Sequence, residues 1–390
     1  MTDYEKHAIL KDDRQLGPYP DHLLKRVDKP TVAMPGPIER RMRADNAAVR
    51  IRNGLYGPEI AEKAAGFIHR YPLGAVISEV RSRIANTPPS EPGKQPGRPP
   101  VTLPKLDVPD DPKALSRNLK ALGYFLGADA VGVCVAPPTC FFADDAQGNP
   151  YVNKYPNAVV FLKRNDRATT MATDGQDMIV DATAQRTYLH LTMISEIVLS
   201  YVKMLGFGAE SSDLHVNKNQ MPPLIIEAGL AEASRIGIAL NPFFGADFKS
   251  TAILTDAPLL PDKPIDFGLQ EYCGRCGICA EHCIGSAISK GAKELYNGYE
   301  KWIFDADKCF YSTAVMENGS NCFVCIMMCP WTRPNTAPED FRSWDGSEEQ
   351  LIAAVDARAA ELRKSGFARN DAPGSKWWLG LADRQPGIEP

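Results

Sequence analysis

Apolar residues recur at helical spacing early in the chain: Ile60, Ala64, Phe67 and Ile68, then Ile77, Val80 and Ile84, with a break at Pro72-Leu73-Gly74. This pattern predicts a mainly helical N-terminal region over residues 1–86, a layer that packs on a later domain. Thr87 to Pro112 is different, since nine of its 26 residues are proline, and it reads as an extended linker. Asp111-Pro112 then supplies an N-cap and a proline at the first helical position. Leu115, Leu119, Leu122 and Phe125 continue as one apolar helical face that ends near Gly127. Ala128 to Val135 and Ala158 to Leu162 read as short buried strands. Asp181 to Leu205 predicts a long helix striped by Leu191, Ile194, Val198, Tyr201 and Leu205 and stopped by Gly206. Gly229 to Asp256 adds an apolar segment, a turn at Asn241-Pro242 and a strand from Ser250 to Leu254. Helices interleaved with short apolar strands imply an α/β (α+β) core over residues 113–265. Near the end, Ser347-x-x-Gln350 is a capping-box pattern before a helix carrying Leu351, Ala354, Val355, Ala359 and Leu362 and ending at Gly366. Residues 341–390 are thus a C-terminal helix and tail, in which Trp377-Trp378 is read as docking the tail.

Composition narrows the class. A chain of 390 residues has room for two or three domains. With 44% apolar and 24% charged residues it has the balance of a soluble globular protein. A net charge of -4, with the charges scattered, argues against nucleic acid or an anionic membrane as partner. No run reaches the roughly 20 apolar residues of a membrane span. Met1 to Pro30 lacks an apolar signal core, and Arg40-Arg41 is followed by Met42-Arg43-Ala44-Asp45, not by an apolar stretch. A cytoplasmic location is therefore expected.

The chemistry is concentrated between Cys273 and Pro330, which hold eight of the ten cysteines. The first run is Cys273-x2-Cys276-x2-Cys279-x3-Cys283. The second is Cys309-x12-Cys322-x2-Cys325-x3-Cys329-Pro330. Thiolates two residues apart grip one small inorganic core, and the cysteine after a three-residue gap reaches across to a second. The runs therefore read as a ferredoxin-like module, residues 266–340, carrying two [4Fe–4S] clusters. Cys273, Cys276, Cys279 and Cys329 fall to one cluster, and Cys283, Cys309, Cys322 and Cys325 to the other. A structural zinc site is the competing reading of Cys-x2-Cys pairs. Ile284 stands where ferredoxins usually carry proline, so altered local geometry is expected there. Cys134 reads as a buried strand residue and Cys140 as a loop thiol near a cavity.

Several segments, in order, resemble the reductive dehalogenases, a family of corrinoid iron–sulfur enzymes. They are Ala228-Gly229-Leu230-Ala231-Glu232, Asn241-Pro242-x-Phe244-Gly245, Leu254-Thr255-Asp256-x-Pro258-Leu259 and Asp262-Lys263-Pro264-Ile265, followed by the two cysteine runs and Pro330-Trp331-x-x-Pro334-Asn335. The resemblance covers roughly Leu115 to Trp344. It implies a cobalamin-binding core of nitroreductase-like type, with no protein ligand on the corrinoid's lower face, and the chain has no Asp-x-His-x-x-Gly motif. It also implies an active-site tyrosine on the long helix, matched by Tyr188, and a basic residue on the strand before the cysteines, matched by Lys249, 61 positions later. Arg235, Asn217 and Lys218 are candidate contacts to the cofactor.

Removing halogen from carbon reductively consumes two electrons and one proton. A free tyrosine is a weak acid, with a pKa of about 10. A lysine ammonium within about 4–6 Å favours the phenolate and stabilises the charge left after transfer. The resemblance therefore implies a reductive dehalogenase in which Co(I) cobalamin is fed by two [4Fe–4S] clusters and Tyr188 supplies the proton. The expected partners are a small organohalide and a separate electron donor (ferredoxin, flavodoxin or reductase), because the chain carries no fused reductase module. Epoxyqueuosine reductases, which act on modified tRNA, share the core and are the alternative. A two-cluster electron-transfer protein without corrinoid is the third reading.

Overall fold

The computed structural model describes residues 16–17, 19–66, 72–86, 108, 111–145, 147–173, 175–212, 218–315, 321–332, 347–365 and 376–378. Phe67, Ile68, Asn217, Gly366 and most of the Thr87–Pro112 segment lie outside them. The elements follow one another as α1 (Ala47–Arg52), α2 (Pro58–Gly66), α3 (Pro72–Asn86), α4 (Pro112–Phe125), β1 (Ala130–Val135), β2 (Asn157–Arg164), α5 (Arg167–Ala172), α6 (Ile179–Met204), β3 (Ala209–Ser212), α7 (Met221–Glu227), β4 (Glu232–Ala233), β5 (Ala239–Leu240) and β6 (Phe248–Thr255). The cysteine region adds α8 (Leu269–Cys276), α9 (Ile278–Glu281), β7 (Glu294–Tyr296), β8 (Tyr299–Lys301), α10 (Ala306–Val315), α11 (Val324–Met327) and, last, α12 (Glu348–Ser365). Among the described residues no helix is long and apolar enough to cross a membrane.

The centre is a four-stranded sheet in the order β1-β2-β6-β3, antiparallel throughout. Successive strand residues point to opposite faces, so the nearly continuous apolar runs bury two faces at once. Val131, Val133, Val159, Phe161 and Ile253 pack with Leu115 and Leu119 of α4 and Leu191, Ile194 and Val198 of α6. Ala130, Cys134, Ala158, Val160, Leu162, Ala252 and Leu254 face the other way, into a core shared with Leu224, Phe243, Phe244 and the cysteine region. Gly132 is required there, because a Cβ would lie 2.4 Å from the Ala228 carbonyl oxygen.

Local signals place most boundaries. The Asp111 side chain accepts from the Lys113 amide, and Pro112 opens α4. Gly206, at φ 94°, ends α6 in the left-handed region. Ser347 Oγ accepts from the Gln350 amide and caps α12, which buries Leu351, Val355, Ala359 and Leu362. Phe125 departs from its predicted face and is 85% exposed, because the neighbouring Leu126 packs on the core in its place.

The N-terminal helices pack on two different parts of the protein. Ile51 of α1 and Ala64 of α2 meet Ala314 of α10. Helix α3 lies along α6: its fully buried positions are Gly74, Ser78 and Arg81, and Leu73 and Ile77, partly buried, pack on Ile179 and Ala182. Gly74 permits the close approach, since a Cβ there would lie 2.5 Å from Asp181 Oδ2. Trp378 is fully buried against Ala172, Met178, Ile179 and Ala182 beside α3, while Trp377 remains exposed.

Asn241 ties the segment ahead of β6 together. Fully buried, it donates to Tyr19 Oη (2.8 Å) and the Leu230 carbonyl (2.7 Å) and accepts from the amides of Phe243 (2.9 Å) and Phe244 (3.1 Å). Asn241→Ala removes all four bonds at once and is expected to destabilise the protein by on the order of 3 kcal/mol, read as a lowered urea midpoint. An unchanged midpoint would contradict this account.

Candidate active site and cysteine centres

The eight clustered cysteines line two separate cavities. Cys273, Cys276, Cys279 and Cys329 surround one, together with Arg235, Tyr272 and Trp331. Cys283, Cys309, Cys322 and Cys325 surround the other, with Ile284, Phe304 and Val324. Among the described residues, no three His, Cys, Asp or Glu side chains converge on a single-ion position. Gly277, at φ 72°, turns the chain between α8 and α9 so that Cys276 and Cys279 face the same space.

Main-chain amides lie against the sulfurs. Those of Ile278 and Trp331 lie near Cys276 and Cys329, and that of Val324 near Cys322. The Ala287 amide donates to Cys283 Sγ at 3.3 Å. Burial pushes the Cys273, Cys279 and Cys309 thiols up to about 12. Without metal these groups are therefore neutral thiols, and iron must displace their protons as it binds. The amides then face the thiolate charge. This donor set fits iron–sulfur clusters, each thiolate taking a different iron.

A short hairpin, β4–β5, holds the first cysteine helix at both ends. At its start, the buried Glu232 carboxylate accepts from the amides of Phe267 (2.8 Å) and Leu269 (3.4 Å). At its end, the Arg235 guanidinium donates to the carbonyls of Cys273 (3.0 Å) and Gly274 (3.3 Å), and also to those of Ser289 (2.8 Å) and Gly291 (2.9 Å). Arg235 is 3% exposed and stacks on Trp302 at 4.9 Å. Its expected place as a cofactor contact is thereby revised: its donors are engaged by the backbone of the cysteine region.

Tyr188 and Lys249, far apart in sequence, meet where α6 crosses the beginning of β6. The Lys249 Nζ lies 5.5 Å from the Tyr188 ring centroid and 5.0 Å from that of Phe323. Phe323 stands in the chain between Cys322 and Val324, both of which line the second cysteine cavity. A third group completes the arrangement. Arg81 of α3, 4% exposed, places its Cζ 5.2 Å from the same tyrosine ring. Arg81 carried no signal in the sequence; only the packing of α3 on α6 brings it here. Two polar side-chain oxygens are close in sequence to the pair: Gln185 Oε1, on α6 one turn before Tyr188, and Thr251 Oγ1, two residues after Lys249. Both atoms are buried without a partner among the described residues.

The remaining candidates lie elsewhere. Lys218 pairs with Glu210 at 2.7 Å and sits 5.7 Å from the Tyr151 ring centroid; Asn217 is outside the described residues. Cys134 is buried on β1, its Sγ against the Leu224 carbonyl, and burial pushes the Cys140 thiol up to about 12.

Fold and site together define a mixed α/β protein with two four-cysteine centres and a tyrosine flanked by two cations. No family model matches the chain. It is 34% identical over 170 residues to a tetrachloroethene reductive dehalogenase of Sulfurospirillum multivorans, an overlap of 42% of this chain and 33% of that protein. Among solved structures, the catabolic reductive dehalogenase NpRdhA superposes with a TM-score of 0.79 and 32% identity over 94% of this chain and 52% of its own; it has also been solved in complex with 3-bromo-4-hydroxybenzoic acid. A reductive dehalogenase whose structure is described as suggesting a mechanism for B12-dependent dehalogenation has a TM-score of 0.77 and 30% identity, covering 94% of this chain and 53% of its own. The chain thus spans about a third to a half of the length of the relatives it matches. These likenesses support a reductive dehalogenase family assignment.

Cys325→Ala is expected to halve the iron and sulfide taken up on anaerobic reconstitution, because the other four-cysteine cavity is untouched. Full uptake by this variant, or uptake of zinc in place of iron by the wild type, would contradict the two-cluster assignment.

Proposed function

We propose that the protein is a reductive dehalogenase that replaces halogen by hydrogen on a small organohalide. In this proposal residues 113–265 form a corrinoid-binding core of nitroreductase-like type, and residues 266–340 a ferredoxin-like module with two [4Fe–4S] clusters. The observation that carries it is the Tyr188–Lys249 pair, whose lysine also lies over Phe323, a chain neighbour of two residues that line a four-cysteine cavity: in this reading a proton donor serves a centre suited to electrons. Support for the corrinoid comes from the B12-dependent neighbour, which overlays almost the whole chain. The buried Gln185 and Thr251 oxygens offer acceptors for polar groups of a molecule bound there. Lys218 is proposed to face the cofactor's amide rim.

The balance is one carbon–halogen bond broken, one carbon–hydrogen bond formed, two electrons and a proton consumed, and halide released. When bound, the corrinoid supplies the two-electron reductant. Tyr188 Oη gives its proton to the carbon that loses halogen and is left as a phenolate. Lys249 and Arg81, both cationic and near the ring, stabilise that charge. Packing of α3 on α6 holds the ring in place. A separate electron donor, of ferredoxin, flavodoxin or reductase type, is proposed to load the clusters.

Tyr188→Phe is expected to lower halide release by about 10²–10⁴-fold while cobalt, iron and sulfide contents stay at wild-type levels. The assay is halide release from a panel of halogenated phenols, benzoates and alkenes by the reconstituted protein. Halide release at the wild-type rate in this variant would refute the donor role. Absence of bound cobalt in the wild type would refute the corrinoid reading itself.

A further inference from the structure

Trp331 has an unusual combination of surroundings. It follows Cys329-Pro330, is 1% exposed, and forms part of the wall of the cavity ringed by Cys273, Cys276, Cys279 and Cys329. Phe267 and Tyr272 pack edge-on against it, with ring centroids at 5.1 and 5.6 Å and interplanar angles of 72° and 83°. These contacts fix the ring, so its N–H direction is set by packing. Its main-chain amide lies against the Cys329 sulfur. Its indole Nε1–H, by contrast, is buried and has no hydrogen-bond partner among the described residues. Buried tryptophan N–H groups ordinarily find an acceptor. Trp331 lines the cavity in which the sulfurs of a cluster would lie.

We propose that Trp331 tunes the cluster of Cys273, Cys276, Cys279 and Cys329: its indole N–H donates to a cluster sulfur and favours that cluster's reduced form over its oxidised form. The proposal rests on the iron–sulfur reading above. Reduction adds negative charge that the sulfurs share, so a fixed donor holds the reduced state more strongly and raises the potential. The setting is otherwise positive as well, with Arg235 on the Cys273 and Gly274 carbonyls and Arg363 donating to the Cys276 carbonyl at 2.9 Å. Trp331 is a positioning and tuning residue; it neither ligates iron nor touches substrate.

The test uses full-length protein reconstituted anaerobically with iron and sulfide, counted per chain, and titrated reductively while each cluster is followed by electron paramagnetic resonance. In Trp331→Phe, one of the two midpoint potentials should fall and the other should stay in place, with iron and sulfide unchanged. Two unmoved potentials in a protein that retains both clusters would overturn the proposal. Wild-type protein that holds no cluster in this cavity would overturn the iron–sulfur reading, a distinct result visible before the titration. Should Trp331→Phe fail to fold, 3-benzothienylalanine at position 331 keeps the bicyclic shape and lacks the N–H. The same one-sided fall is then required.

Discussion

The site depends on how one short helix is held. Leu269–Cys276 carries two of the cysteines, and the β4–β5 hairpin grips it with a buried acid at its start and a buried base at its end. The signs match the helix: a carboxylate meets the free amides at the positive end, and a guanidinium meets the carbonyls at the negative end. Hydrogen bonds to charged groups contribute about 1.5–3 kcal/mol each, enough to fix a segment that cannot rely on apolar packing alone. Burial raises the Glu232 carboxyl above its ordinary range, opposed by Thr31 and the two amides. The hairpin joins the central fold to the cysteine region, so the cavity and the sheet keep one geometry.

The sheet supplies the second constraint. With one face on α4 and α6 and the other on the cysteine region, it separates two environments by the thickness of a single strand layer. Lys249 sits near the start of β6, where the partly exposed end of the strand gives way to its buried part. That position allows a charged group to reach Tyr188 without entering the core. Asp247, two residues earlier, is buried and bonded to Asn165 at 2.8 Å, which anchors the strand's entry. Helix α3 closes this corner through Gly74 and brings Arg81 with it.

Much of this was legible in the sequence because the signals are local. Apolar spacing located α4, α6, β1, β2 and β6 to within a few residues, and Asp111, Gly206 and Ser347 mark ends that the structure also shows. The two cysteine runs were legible because thiolates two residues apart can grip one small core, while the cysteine after a three-residue gap reaches across to the other. The division of the eight cysteines between two cavities follows the same spacing. Phe125 misled, since periodicity reports which residues are alike but not which neighbour will cover them.

By itself, then, the sequence determined the elements, their caps and the cysteine spacing, all set by interactions within a few residues. Only the tertiary structure decided the antiparallel strand order, the meeting of Arg81, Tyr188 and Lys249, and the engagement of Arg235 by the cysteine region's backbone. Each of these depends on which surfaces pack together across more than 20 residues of chain. Long-range packing of that kind is a property of shape and burial, and no short stretch of residues encodes it.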